Sequence, residues 1–277
     1  MLYFVCALYC EAAPLIKALD MKKNNSYTRF QLFESDDARL ILSGTGNIQS
    51  AVAASCLFSI YPPQAEDTAV NFGICGIQSK AVCSNIYLCN QIIDTVTQNT
   101  YYPDMIWKHP FQENTIHTVP SVIQNASSKS FIKSGQLFDM EASGFYQACQ
   151  HFFSCHRIFV LKVPSDNGSS FLKPDLITHL SAEKVPSILS WLFSFHNVFS
   201  EKAAHLMEER TQITYICEKL YLSETMKHRF FQLLHFYQLE HTDILRLLES
   251  ILTEIEPIKT KREGKQYFEK LTARLIY

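Results

Sequence analysis

Apolar residues follow two rhythms along this chain. Short runs at residues 2–8, 39–43, 68–72, 85–93 and 157–163 are apolar nearly without interruption, the pattern of strands covered on both faces. Between them apolar positions recur at helical spacing, which predicts helices over 11–19, 48–59 and 140–153. In the last of these, Phe145, Ala148, Cys149 and Phe152 stand at i, i+3, i+4 and i+7, one buried face of a helix. Asp139 sits where an N-cap belongs and Glu141 falls in the first turn, where the helix dipole favours an acid. Strands alternating with helices predict a largely covered α/β sheet.

Beyond Pro186 the rhythm is helical throughout. Residues 187–200, 201–221, 223–239 and 241–254 are rich in Leu, Phe, Glu, Lys and Arg and almost free of Gly and Pro. The expectation is an α/β domain over 1–205 and an all-helical extension over 206–277. The end of the extension carries Lys259, Lys261, Arg262, Lys265, Lys270 and Arg274 against Glu263 and Glu269. Its ordinary meaning is a solvated helix face; an acidic partner or nucleic acid is the lesser reading.

A chain of 277 residues with 47% hydrophobic and 19% charged residues can bury a sizeable core. The formal net charge of −2 makes no case for a nucleic-acid or membrane-surface protein. Nine cysteines, an odd number without a CxxC pair, suggest free thiols in a reducing cytoplasm, with neither a disulfide framework nor a zinc site. The opening LYFVCALYC is too short for a membrane span and lacks a basic leader, so it is expected to be a buried first strand of a soluble protein.

Candidate chemistry clusters before residue 170. Three acids lie just after strand-like runs or at a helix start: Glu11 in ALYCEAAPL, Glu141 in FDMEASGFYQA and Asp166 in VPSDNG. In an open α/β sheet, ligands bind beyond the carboxyl ends of the strands, so acids in such places can converge. Two glycine segments fit that picture. LSGTGNIQSAVAA is a strand opening through two glycines into a helix whose amides can face a ligand, and NFGICGI looks like a strand ending in a tight glycine pair. Neither is a dinucleotide or P-loop fingerprint. Singly, each candidate residue has an ordinary reading: Glu11 begins a helix, Asp166 is an Asx-turn residue, and Met140 is core.

Taken together and in order, ALYCEAAPL, SGTGNIQSA, NFGICG, FDMEASGFYQA and VPSDNG resemble the purine nucleoside phosphorylase and nucleosidase superfamily, over residues 1 to about 200. The likeness is greatest to its hydrolytic branch, the methylthioadenosine/S-adenosylhomocysteine nucleosidases. It implies a three-layer α/β/α fold around a mixed sheet, a homodimer, and no metal or organic cofactor. It also implies residue roles. Glu11 activates the attacking water, Met140 and Glu141 bind the ribose, Asp166 protonates the purine, Ser165 orients Asp166, and Cys75 and Gly76 line the substrate site.

Cleaving an N-ribosidic bond builds cationic character on the sugar while electrons flow into the base. One acid must therefore hold a proton for the purine, and a carboxylate must stay ionised near the sugar. Phosphorylases of the superfamily hold phosphate with clustered arginines, one in a GDPxR-like first loop. Here that loop reads CEAAP, and its acid would repel phosphate, which favours hydrolysis of a 5′-substituted adenosine over phosphorolysis. Phosphate-dependent turnover, or a nucleoside sensor whose helical tail grips a partner, are the alternatives. Three departures bear on the water or anion subsite: Ile74 where a small or hydroxyl residue is common, Lys162 in place of an arginine, and Cys89-Asn90 in place of Gly-Asp. Val122, Phe131 and Phe138 are the candidates to stack on the base.

Overall fold

The computed structural model describes residues 1–27, 29–79, 85–122, 132–167, 173–240, 244–254, 258 and 260–276, with backbone alone at 195–210, 235, 238–240 and 276. In chain order the strands are β1 (Leu2–Cys6), β2 (Lys22–Lys23), β3 (Gln31–Glu34), β4 (Ala38–Leu42), β5 (Thr68–Ile77), β6 (Tyr87–Asp94), β7 (Thr100–Tyr101), β8 (Gln112–Thr118), β9 (Leu137–Asp139) and β10 (Ile158–Asp166). The helices are α1 (Tyr9–Ala18), α2 (Asn47–Ile60), α3 (Ala142–Cys149), α4 (Pro174–Lys219), α5 (Glu224–Glu240), α6 (Ile244–Glu254) and α7 (Lys261–Ile276). Two compact units result, Met1–His196 and Asn197–Tyr277.

The first unit is built on one mixed sheet. β1 pairs in parallel with β4 and β5, and β5 in parallel with β10, so these four strands point the same way. β3 and β2 continue antiparallel beyond β4. On the other side the pairings close on themselves: β5 with β9, β9 with β8, β8 with β6, β6 with β10 and β10 back to β5. Half the sheet is thus a small barrel and half is open. Tyr3 meets Phe58 of α2 and Phe153 just after α3 edge to face, which seats those helices on one side of the sheet. Phe159 of β10 meets Trp191 of α4 at 4.9 Å between ring centroids, so the start of α4 covers the other side. This is the three-layer arrangement expected from the sequence.

Several expected boundaries are corrected. β5 extends through both glycines to Ile77, and β10 through Pro164 and Ser165 to Asp166, because pairing with each other keeps both strands extended past their apolar runs. α3 spans Ala142–Cys149 rather than 140–153, since residues 137–139 are drawn into the sheet as β9. α4 runs unbroken through Pro186, against the helix start expected after it, and opens instead on Pro174, where the missing N–H costs nothing. The short strands β2, β8 and β9 escaped the apolar pattern because they are brief or carry mostly polar residues.

The second unit has its own core, in which Ile216, Leu220, Phe230, Leu248, Ile251 and Phe268 are buried together. Gly264 of α7 lies against the backbone of Leu220: a Cβ there would stand 1.9 Å from the carbonyl oxygen. No described helix is long and apolar enough to cross a membrane.

Candidate active site

The carboxyl ends of β1, β4, β5 and β10 lie along one edge, and every acid singled out in the sequence comes to it. β1 leads through two residues into α1, whose third residue is Glu11. Glu11 is buried, and both carboxylate oxygens are held by backbone: Leu8 N–H donates to Oε2 at 2.8 Å and Ile74 N–H to Oε1 at 2.9 Å. Burial pushes its pKa up, while Lys162 and the N–H donors of Ile74 and Leu8 work the other way. Each carboxylate oxygen can accept more than one hydrogen bond, so acceptor capacity remains for a water.

NFGICG therefore contains no glycine turn. Gly73 and Gly76 lie inside β5, and neither is among the glycines with positive φ. Each is there for space. A Cβ on Gly73 would meet Glu11 Oε1 at 2.7 Å, and one on Gly76 would meet the Phe138 ring at 2.2 Å. In SGTGN, by contrast, Gly44 (φ 77°) and Gly46 (φ 113°) do make a turn, and Gly46 caps α2.

That turn reaches Glu141. Gly46 N–H donates to Glu141 Oε1 at 2.8 Å. Glu141 is itself the residue before α3, not part of its first turn, and its side chain makes no cap hydrogen bond. Burial, with Asp139 adding repulsion, raises its pKa to about 7, against relief from Lys162 and Gly46. Asp139 does cap the helix, accepting from Ala142 N–H at 2.9 Å, but the expected cap has a second task. Its Oδ2 lies 2.9 Å from Lys162 Nζ, both side chains fully buried, and its Oδ1 accepts from the Thr118 hydroxyl at 3.0 Å.

A polar latch fixes α2 against α3. Asn47 donates to Asp94 Oδ2 at 3.0 Å, and its Oδ1 accepts from Gly144 N–H. Ser143 donates to Asp94 at 2.8 Å, while Val96 and Thr97 N–H bind the other oxygen at 2.9 Å. Although burial opposes it, these donors hold the Asp94 carboxyl below its ordinary pKa. Gly144 is required because a Cβ would stand 2.1 Å from the Asn47 carbonyl. The latch keeps Gly46 on Glu141.

The remaining acid, Asp166, ends β10 after a register shift that brings it opposite Gly76. It is strand, not an Asx turn. The Ser165 hydroxyl lies 2.9 Å from Asp166 Oδ2 and 3.3 Å from the Cys75 carbonyl, so Ser165 tethers the acid to β5. Cys75 contributes that carbonyl; its thiol is buried in the core. Met140 packs with Val119, Ile132 and Phe138 in a small apolar cluster next to Glu141. Of the stacking candidates, Phe138 belongs to this cluster, Val122 is exposed, and Phe131 lies outside the described residues.

The sequence reading missed Asn47, Asp94, Thr118 and Ser143, and treated Lys162 only as a departure. A signal was present: Lys162 interrupts the apolar IFVLKV, and a lysine inside a covered strand needs a buried acid. Asn90, from another of the departures, points outward and donates to Glu113. Among the described residues no group of three or more His, Cys, Asp or Glu side chains is placed to hold a metal ion, and every described cysteine is a free thiol.

No protein-family model and no curated protein matches this sequence. Solved structures do. A 5′-methylthioadenosine nucleosidase from Arabidopsis thaliana in apo form superposes with a TM-score of 0.57 at 15% identity, over 71% of this chain and 95% of that one. The 5′-methylthioadenosine/S-adenosylhomocysteine nucleosidase from Neisseria meningitidis in complex with methylthio-immucillin-A gives 0.55 at 16% identity, over 68% and 97%. A futalosine hydrolase mutant from Helicobacter pylori gives 0.52 at 14%, over 68% and 98%. At these identities the likeness establishes the fold.

Proposed function

We propose that this protein is an N-ribosyl hydrolase, cleaving a purine nucleoside, a 5′-substituted adenosine such as methylthioadenosine or S-adenosylhomocysteine, to free base and sugar. The observation that carries the reading is the meeting of Glu11, Glu141 and Asp166 at the carboxyl edge of β1, β5 and β10, each held by a different element. Structures of the same fold bind methylthio-immucillin-A and adenine, which supports the substrate class.

In the proposed reaction Asp166 gives a proton to purine N7 as the C1′–N9 bond breaks and its electron pair enters the base. Water adds to C1′ and loses a proton to Glu11, and solvent resets both acids. Burial raises the Glu11 pKa above the ordinary carboxylate value, which makes it the better base. Glu141 accepts from the ribose hydroxyls, over the thioether of Met140.

Phosphorolysis is disfavoured by where the arginines of the sheet stand. Arg39, near the start of β4, is spent on the Ser35 and Ala38 carbonyls, and Arg157, just before β10, on the Glu66 carbonyl. Both lie at the amino edge, away from the acids. The binding-only reading draws on Ile74, whose N–H rather than a hydroxyl faces Glu11.

The test is to incubate the protein with methylthioadenosine, S-adenosylhomocysteine, adenosine and inosine, with and without phosphate, and to measure free base. Release without phosphate is expected. Release only with phosphate makes the protein a phosphorylase, and tight binding with no release makes it a sensor.

A further inference from the structure

Lys162 is fully buried in the middle of β10, four residues before Asp166, and its ammonium is 2.9 Å from Asp139 Oδ2. The groups around it come from every neighbouring element. They are Asp139 of β9, Glu141 before α3, Glu11 of α1, and the buried thiols Cys6 of β1, Cys75 of β5 and Cys89 of β6. One cation therefore serves three carboxylates in a water-poor place. Burial works against the ammonium, yet Asp139, Glu141 and Glu11 outweigh it and raise its pKa above the ordinary lysine value.

Lysine is a compact point charge rather than a planar fork, and here its bonded partner is Asp139. Asp139 in turn binds Ala142 N–H, while Thr118, which donates to Asp139, accepts Ser143 N–H. The ion pair thus ties β10, which bears Asp166, to the first turn of the helix behind Glu141. It also cancels the charge of Asp139, two residues from Glu141.

We propose that Lys162 is a positioning residue: it neutralises Asp139 and anchors the start of α3, so that Glu141 can bind the sugar hydroxyls as a carboxylate. This rests on the nucleosidase reading for the identity of the ligand, but not for the electrostatics. Only an ionised carboxylate offers both oxygens purely as acceptors to two ribose hydroxyls. Removal of Lys162 takes away the cation that relieves Glu141, which must then hold its proton more tightly.

The test uses the full chain with carboxyl-labelled glutamate, the Glu141 signal being assigned by its loss in Glu141→Gln. Four proteins are titrated by NMR: wild type, Lys162→Met, Asp139→Asn and the double variant. In Lys162→Met, Glu141 is expected to bind its proton about tenfold more tightly; in Asp139→Asn, where Lys162 turns to Glu141, about tenfold more weakly; the double variant returns near wild type. The KM for methylthioadenosine at neutral pH, read from base release, should rise roughly tenfold in Lys162→Met and recover in the double variant, a rescue that lost packing cannot give.

If Lys162→Met does not fold, Asp139→Asn alone decides. An unmoved Glu141 titration in the variants that fold overturns the inference. If Glu141 moves as expected while wild type binds no nucleoside, the nucleosidase reading fails and the role of Lys162 stands.

Discussion

Replacing Glu141 by glutamine sets two demands on that side chain against each other. Glutamine has nearly the same shape and keeps an oxygen for Gly46 N–H, so the geometry of the turn survives. What goes is the buried charge. The carboxyl ordinarily titrates at 4.5 and in the fold at about 7. At about 1.4 kcal/mol per tenfold change in proton affinity, that difference is worth about 3 kcal/mol. The sign follows from which state ionises first. Below pH 4.5 Glu141 is protonated whether the chain is folded or not, and it contributes nothing to the pH dependence. Between 4.5 and about 7 the unfolded chain ionises while the folded one holds its proton, so wild-type stability falls as pH rises. Above about 7 the full cost is present. Glu141→Gln lacks this slope and should be more stable than wild type at pH 8 by about 2–3 kcal/mol, and no more stable at pH 4. Trp107 and Trp191 both lie in the first unit, so urea unfolding followed by tryptophan fluorescence reports the unit concerned. The same variant should bind methylthioadenosine about 10- to 100-fold more weakly, the loss of a charged acceptor for sugar hydroxyls. Equal stability of the two proteins at pH 8 would refute a buried, charge-costing Glu141.

Three further outcomes are expected. Asp166→Asn should release base about 10²- to 10⁴-fold more slowly with affinity little changed, as measured by stopped assays against binding calorimetry; near-normal turnover removes Asp166 as the acid. Gly73→Ala places a Cβ 2.7 Å from the movable carboxylate of Glu11, so the fold should survive while Glu11 leaves Ile74 and base release falls about 100-fold; full activity would show that the position of Glu11 does not matter. Gly264→Ala meets immovable backbone instead, 1.9 Å from the Leu220 carbonyl, and should destabilise the second unit by about 1–3 kcal/mol or more, read as earlier loss of helical circular dichroism; an unchanged transition contradicts the close packing of α7.

What the sequence determined by itself was whatever depends on local order. Buried strands announce themselves as apolar runs, so β1, β4, β5, β6 and β10 were legible, and the motif order carried the fold and the three acids. Helical spacing located α2 and the centre of α3, because a buried face repeats every three to four residues whatever it packs against. Tertiary structure decided what each motif is for. NFGICG read as a turn and is a strand thinned for Glu11 and Phe138, which approach from residues far away in sequence. Asp139 read as a helix cap, and its bond to Ala142 is indeed local; its pairing with Lys162, 23 residues on, exists only because β9 and β10 belong to one closed ring of strands. A cap is specified by neighbours three residues apart, whereas the charge state of Glu141 is set first by burial and by Asp139 beside it, and is relieved by a lysine and a glycine turn that only the folded sheet brings near.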